Sequence, residues 1–233
     1  MQLKSRNISQ QAYRHIRESL LISGAYVGQK IPHQELGQKL GISHTPLREA
    51  LFRLVAEGLL EHQNYKGFYV PAITIEEARE LYETREVIEP FLVIKTAKQM
   101  DDALIKKFKK ILNTYKELMS VHYNRKRILT DKKFHIEIAN AAGNKILTQV
   151  LNQLYDKLIF KSPVERISQS RVEEAVQEHY DILDLLITKN GKTAAKKMQE
   201  HIRKQREYVI NNILNKQDGM PPLNPLFSKK KSS

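Results

Sequence analysis

Apolar positions recur at helical spacing along most of this chain, and the places where the pattern breaks divide it into elements. Ile8, Ala12, Ile16, Leu20 and Leu21 mark a first helix that stops at Ser23-Gly24. After a loop over 24–32, a short second helix holds Leu36 and Leu40 and breaks at Gly41. Ser43 or Thr45 can cap a third helix with Pro46 in its first turn, where proline's missing N–H is not needed. In that helix Leu47, Ala50, Leu51 and Leu54 form the inward stripe, and Gly58 ends it. Residues 59–62 and 68–70 then flank the turn 63–67 as two strands would. Helix, tight turn, helix and a basic-tipped hairpin predict a winged helix-turn-helix over residues 1–71.

Pro71-Ala72-Ile73-Thr74 is a brief linker, and from Ile75 the pattern is helical to Leu214. Six helices are expected, over 75–98, 101–121, 124–141, 144–161, 170–189 and 192–214. Asp101, Asn144 and Thr193 stand near three of the starts, and Gly143 and Gly191 mark two of the turns. The expected fold class is therefore mainly α: an N-terminal winged helix-turn-helix followed, over 75–214, by an all-α antiparallel helical bundle. The last stretch, 215–233, mixes Pro, Gly, Ser and a lysine run without period and is expected to be a disordered tail. The chain has no internal repeat.

At 233 residues, 41% hydrophobic and 28% charged, the chain can bury the cores of two modest domains. No apolar run approaches the roughly 20 residues that span a bilayer, and the N-terminus lacks the pattern of a secretion signal, so no membrane partner and a cytoplasmic location are expected. Cysteine is absent. Disulfides and thiolate metal sites are excluded, and any metal must use nitrogen and oxygen ligands. The formal net charge of +13 permits nucleic-acid binding. Its excess of Lys and Arg is spread along the whole chain, so charge alone does not locate an interface.

A recognition helix enters the major groove by its N-terminal end. Here that end supplies Ser43, His44, Thr45 and Arg48, all off the apolar stripe. The second helix presents Gln34 toward the same groove wall, and the turn Asn64-Tyr65-Lys66-Gly67 brings Lys66 and backbone amides to phosphates or the minor groove. Winged helices also serve as protein-interaction modules, in which Arg48 would be a solvated charge.

In the helical region four polar residues sit on apolar faces. Asp131 and His135 are i and i+4 on a face shared with Ile128, Ile138 and Ala142. His179 belongs to the stripe Val172, Ala175, Val176, Ile182, Leu183 and Leu186, and His201 lies beside Met198 and Ile202. His179 and His201 lie at similar distances before and after the turn at Asn190-Gly191, roughly 15–18 Å away at 1.5 Å per residue, hence level across an antiparallel pair. One carboxylate and two or three imidazoles inside a bundle suit zinc, nickel, manganese or iron, with positions left for water or a ligand. A single histidine on an apolar face is ordinarily a satisfied core residue. Four such residues without a metal need many partners, because each unpaired buried polar group costs on the order of 1–3 kcal/mol. His15, His33, His62 and His122 show no such convergence and are expected at the surface.

The core S-x-TPLREAL-x-RL-x-x-EGLL, residues 43–60, resembles the winged-helix domain of the GntR family of bacterial regulators, and the likeness covers residues 8–70. It implies that Gln34, His44, Thr45, Arg48, Lys66 and Gly67 contact DNA. His44 stands where the family usually has arginine or a similar basic residue, and Lys66 where arginine often precedes the wing glycine, departures that bear on the operator sequence. Residues 75–214 are similar to the FCD effector domain of the FadR-like branch. The motifs are Glu-Thr-Arg-Glu-Val-Ile-Glu-Pro (83–90), Asp-x-x-Phe-His (131–135), Glu-His (178–179) and Met-x-x-His-Ile (198–202). The resemblance implies a metal held by Asp131, His135, His179 and His201, with a carboxylate effector completing the coordination, and six helices suggest the VanR-like subgroup. Arg85 matches an arginine of the first effector helix; it is either a clamp for the acid's carboxylate or half of an ion pair with a neighbouring glutamate.

These expectations describe a transcription regulator, homodimeric on a pseudo-palindromic double-stranded operator, whose affinity a small carboxylate controls. Two rivals stand beside it. A metal-dependent hydrolase would need a general base and a nucleophile signature, and neither is present; Gly24-x-x-x-Gly28-Gln29-Lys30 also falls short of a phosphate-binding loop. A structural DNA-binding protein would carry the same metal for stability alone.

Overall fold

A computed structural model of the chain describes residues 2–23, 27–120, 125–161 and 168–215. His122 and the tail from 216 onward, for which expectations were set out above, lie outside the described residues. The fold is mainly α and divides into two compact units, with the main boundary at Ile73/Thr74 and the short segment Ile159–Ser162 grouping with the first unit.

The first unit runs α1 (Gln2–Ser23), α2 (His33–Leu40), α3 (His44–Ala56), β1 (Glu61–Gln63) and β2 (Gly67–Tyr69). Gly41, at φ 62, ends α2 in the left-handed conformation that glycine adopts without strain. Ser43 is the N-cap of α3 in extended backbone, though its hydroxyl makes no capping bond, and Pro46 sits buried in the first turn. The stripe Leu47, Ala50, Leu51 and Leu54 is buried as expected, against α1's Ala12, Ile16 and Leu20. Ile8 departs from expectation and is 42% exposed. Its neighbours Ser9 and Gln10 engage Glu49 and Arg53 of α3, and the 100° step of the helix turns Ile8 away from that face.

The two strands sit within two residues of the expected positions, paired antiparallel with Glu61 opposite Tyr69 and Gln63 opposite Gly67. A third segment joins them. Ile31 N–H donates to the Phe68 carbonyl at 2.8 Å and Val70 N–H to the Gln29 carbonyl at 3.1 Å, so the loop before α2 braces the base of the wing.

The second unit contains the six expected helices: α4 (Ile75–Gln99), α5 (Asp102–Glu117, continuing as a 3-10 turn Leu118–Ser120), α6 (Arg125–Ala141), α7 (Lys145–Lys161), α8 (Gln169–Ile187) and α9 (Gly191–Leu214). Thr74, Asp101 and Asn144 cap α4, α5 and α7 by accepting from backbone N–H groups three residues on. For α9 the cap is Asn190, which accepts from Thr193 N–H, so Thr193 is the donor and not the cap. Gly191 is selected by crowding: a Cβ there would lie 3.0 Å from the Ala97 Cβ, because α9 packs along α4. Helix α8 packs on α9 and α5, and α6 packs on α4 and α5. Polar residues on α4, α6, α8 and α9 therefore face one interior.

Candidate metal centre and nucleic-acid interface

In the first unit the N-terminus of α3 and the β1–β2 hairpin border a cleft of about 290 Å3. His44 and Arg48 line it from α3, Lys66 and Gly67 from the wing, and Leu47, Leu51 and Phe68 form its floor. Gln34, Ser43, His44, Thr45, Arg48 and Lys66 are all exposed, and Gly67 is half-buried at φ 107, a conformation that glycine tolerates. Arg48 lies over the Phe52 ring at 5.3 Å. Tyr65 at the wing tip is fully exposed in the left-handed region, φ 63.

His33 and His62 were expected to be isolated surface residues, and the structure corrects that. Both are half-buried and line the same cleft. The His33 ring lies 6.2 Å from His44 and 6.3 Å from Phe68, and the His62 ring 4.8 Å from Phe68. The brace through Ile31 draws His33 in beside the wing, a contact between sequence-distant segments that periodicity does not reveal. Lys30 joins them, so every charged side chain lining the cleft is basic. Such a surface is suited to phosphate oxygens.

In the second unit Asp131, His135, His179 and His201 come together, with one ligand atom from each lying within 4.8 Å of all the others. His179 Nε2 is 3.2 Å from both His135 Nε2 and His201 Nε2, and 3.6 Å from Asp131 Oδ1. The three histidines are buried, whereas the Asp131 side chain is 26% exposed and forms the outward edge of the cluster. Levelling His179 and His201 about the Asn190 turn thus places their rings side by side.

Two carboxylates that the sequence reading did not assign fix the rings. Glu89 Oε2 lies 2.5 Å from His135 Nδ1, and Glu178 Oε2 lies 2.7 Å from His201 Nδ1. Burial alone would raise the Glu89 carboxyl, but Arg85 and His135 more than offset it and hold it at about 2. Glu178 is likewise pushed up by burial and brought down to about 2 by His201, Lys204 and Arg171. Both are therefore ionised acceptors. Each ionised carboxylate accepts from the Nδ1–H that faces it, and in that tautomer a neutral ring turns its Nε2 lone pair into the cluster. Burial, with the neighbouring imidazoles adding to it, holds His179 well below the ordinary histidine value, so this ring stays neutral.

Imidazole nitrogens 3.2 Å apart share either a proton, in a hydrogen bond, or a cation held between them. Metal–nitrogen bonds of about 2.1 Å place adjacent donors about 3.0 Å apart in an octahedron and about 3.4 Å apart in a tetrahedron. The observed spacing falls between these values, so three imidazoles and one carboxylate fit a divalent transition metal.

Arg85 is buried. Its Nε donates to Glu89 at 2.6 Å and its Nη2 to the Tyr155 hydroxyl. Of the two expectations for Arg85, the ion pair is present in the structure. The signal for Glu89 was in the sequence, since it follows Arg85 by four residues on the inward stripe of α4; Glu178 adjoins His179 and gives no such periodic cue.

Comparison with known proteins agrees with both halves. The family description "Bacterial regulatory proteins, gntR family" matches residues 8–70, and "FCD domain" matches residues 80–204. The chain is 29% identical over 217 residues to the Uxu operon regulator of Haemophilus influenzae, covering 84% of this chain and 81% of that protein. It is 26% identical over 186 residues to the Nta operon transcriptional regulator of Aminobacter aminovorans, covering 80% and 87% respectively. Among solved structures, Escherichia coli McbR/YncC superposes with a TM-score of 0.78 at 20% identity, over 89% of this chain and 99% of that one, a likeness of fold.

Proposed function

The chain belongs to the gntR family of bacterial regulatory proteins, carries an FCD domain and is a DNA-binding transcription regulator rather than an enzyme; from that premise we propose that a metal centre in the helical unit lets a small carboxylate control its operator affinity. One observation carries the proposal. The buried His179 Nε2 stands 3.2 Å from the Nε2 atoms of both His135 and His201, and ionised carboxylates face the Nδ1 atoms of those two rings, which favours the tautomer that a metal needs. Asp131, His135, His179 and His201 would hold the ion, of which zinc, nickel, manganese and iron all suit the donor set. Bound there, the ion supplies a Lewis-acidic position for an acid's carboxylate oxygen. The partial exposure of Asp131 leaves that edge open to solvent, which favours an exchangeable ligand over a purely structural ion. Arg85 orients Glu89 and so His135, and its charge adds to the pull on an anion at the centre.

On the DNA side, Gln34, Ser43, His44, Thr45 and Arg48 meet bases and phosphates in the major groove, and Lys66 and Gly67 meet the backbone at the wing. Lys30, His33 and His62 extend the same basic cleft. Reading a pseudo-palindrome requires two copies. Val87, Phe91 and Ile94, spaced i, i+4 and i+7 on α4, are 75%, 51% and 36% exposed, an outward apolar stripe that suits a second copy of this chain. The protein acts in the cytoplasm.

The test is elemental analysis of the full-length protein as purified, followed by operator binding of the metal-loaded and chelated forms with and without small carboxylates. One ion per chain, and an acid that changes operator affinity only in the loaded form, support the reading. An ion that stabilises the fold while no acid alters DNA binding returns the protein to the structural-metal alternative.

A further inference from the structure

Two buried guanidiniums near the metal cluster carry N–H groups without a partner among the described residues. Arg127 lies on α6 one turn before Asp131 and two before His135, so it shares their inward face, and it is only 3% exposed. Its Nη2 finds no hydrogen-bond partner among the described residues. Arg171 on α8 is 5% exposed; its Nη atoms reach Glu178, but its Nε is unpartnered. Buried N–H groups are paired in more than nine cases out of ten, and two orphaned guanidinium N–H groups near one centre call for an acceptor-rich guest.

The three buried arginines of this unit differ in one respect. Arg85 has its Nε on Glu89 and its Nη2 on Tyr155, and Arg171 has both Nη atoms on Glu178. Arg127 makes no ion pair among the described residues and is left with an open edge. Tyr115, whose hydroxyl hydrogen-bonds Asp131, lies in the field of both Arg127 and Arg171, and Arg127 stands one helical turn from Asp131, whose edge is partly exposed.

We propose that Arg127 is the clamp for the effector's carboxylate, donating from its unpaired edge while the acid sits at the Asp131 side of the metal centre, with Arg171 Nε as the second donor. The inference rests on the effector reading above and names the residues that select an anion. It assigns to Arg127 the recognition that the sequence resemblance assigns to Arg85. A guanidinium grips the two oxygens of a carboxylate with two parallel N–H groups, so the guest is a carboxylic acid, and a neutral amide of the same shape is rejected.

The experiment uses zinc-loaded, full-length protein and three probes, acetate, citrate and acetamide, in calorimetric titrations, with zinc affinity measured separately. Wild type binds the acids and not acetamide. Arg127→Gln weakens acid binding at least about tenfold, the value of a lost charge-assisted hydrogen bond, and leaves zinc affinity within about threefold. Arg127→Lys, which keeps the charge but not the two-pronged geometry, falls between them and serves if the glutamine variant does not fold. Undiminished acid binding in either variant overturns the inference and leaves the effector reading standing. Equal losses of acid and zinc overturn it too, by making Arg127 a structural support. If zinc-loaded wild type binds neither acid, the effector reading itself fails, and this inference with it.

Discussion

The two units place their chemistry on opposite sides of their surfaces. The buried polar and charged residues described lie beyond residue 74, Arg85, Glu89, Arg127, His135, Glu178, His179 and His201 among them, and the one that groups with the winged unit is Lys161, at the end of α7. The winged unit has an apolar core and keeps the side chains proposed to meet DNA in solvent, where they are free to reach phosphates. The bundle has folded its functional side chains into the core and must satisfy each of them there. Fold and function are thus separable in the first unit, and in the second they rest on the same residues. A DNA contact can be removed at little expense in stability, whereas a member of the buried network cannot.

The strongest challenge to that contrast is Glu89→Ala. It leaves the Arg85 guanidinium uncompensated in the interior, and breaking a buried pair this way is expected to destabilise by about 3–5 kcal/mol, read from the denaturant midpoint. Glu89→Gln keeps the volume and should instead lower metal affinity by about 10–100-fold through His135. A Glu89→Ala protein as stable as wild type would mean that the bundle core does not depend on its charges. Next in size is the metal itself. At a free concentration 100 times its dissociation constant an ion adds about 2.7 kcal/mol, so chelation should lower the thermal midpoint of wild type. His179→Ala should show no response to zinc or chelator, and a response of wild-type size would remove His179 from the ligand set.

The same contrast governs what was legible in the sequence. Exposed function is written in residue type at a fixed spacing: Ser43, His44, Thr45 and Arg48 stand out because they fall off the stripe that Leu47, Ala50 and Leu51 define. The proposed metal ligands were legible for the converse reason, since Asp131, His135, His179 and His201 are polar where periodicity demands apolar. Their supports were not. A glutamate or arginine on a long helix ordinarily reads as a solvated charge, and only packing shows that Glu178 turns inward to His201 or that Arg127 and Arg171 are buried. The convergence of His33 with His44 also escaped, because it depends on the Ile31–Phe68 backbone pairing of a loop with a strand. Local period reports which face a residue is on, and says little about which distant segment covers that face.

In the winged unit Arg48→Ala should weaken operator binding by about 1–3 kcal/mol and relax base preference at one position. Lys66→Ala should weaken binding more uniformly across sequences and reduce the salt slope by about 1. Both should leave the denaturant midpoint within about 0.5 kcal/mol of wild type, because both side chains are exposed. A large loss of stability in either would erase the separation between fold and function.

The smallest expected effect sits where the winged unit comes nearest to a buried polar contact. The Tyr13 hydroxyl of α1 donates to Glu57 at 2.7 Å, with the Arg53 guanidinium 3.9 Å from the ring centre and itself 3.2 Å from Glu57. Burial first, and then the bond to and charge of Glu57, push the phenol up to about 12 against the opposing pull of Arg17 and Arg53. The folded state therefore keeps a proton that the unfolded chain releases near pH 10, so the contribution is intact below pH 10 and disappears as pH rises from 10 to 12. Because the group is partly solvated, its worth is screened to below about 1 kcal/mol. Tyr13→Phe should be slightly less stable than wild type at neutral pH, and the gap should close across pH 10–12 in melts of the two proteins. A gap that stayed constant through that window would mean that the hydroxyl's bond to Glu57 contributes nothing. The α1–α3 junction would then rest on its apolar stripe alone, as the rest of that core does.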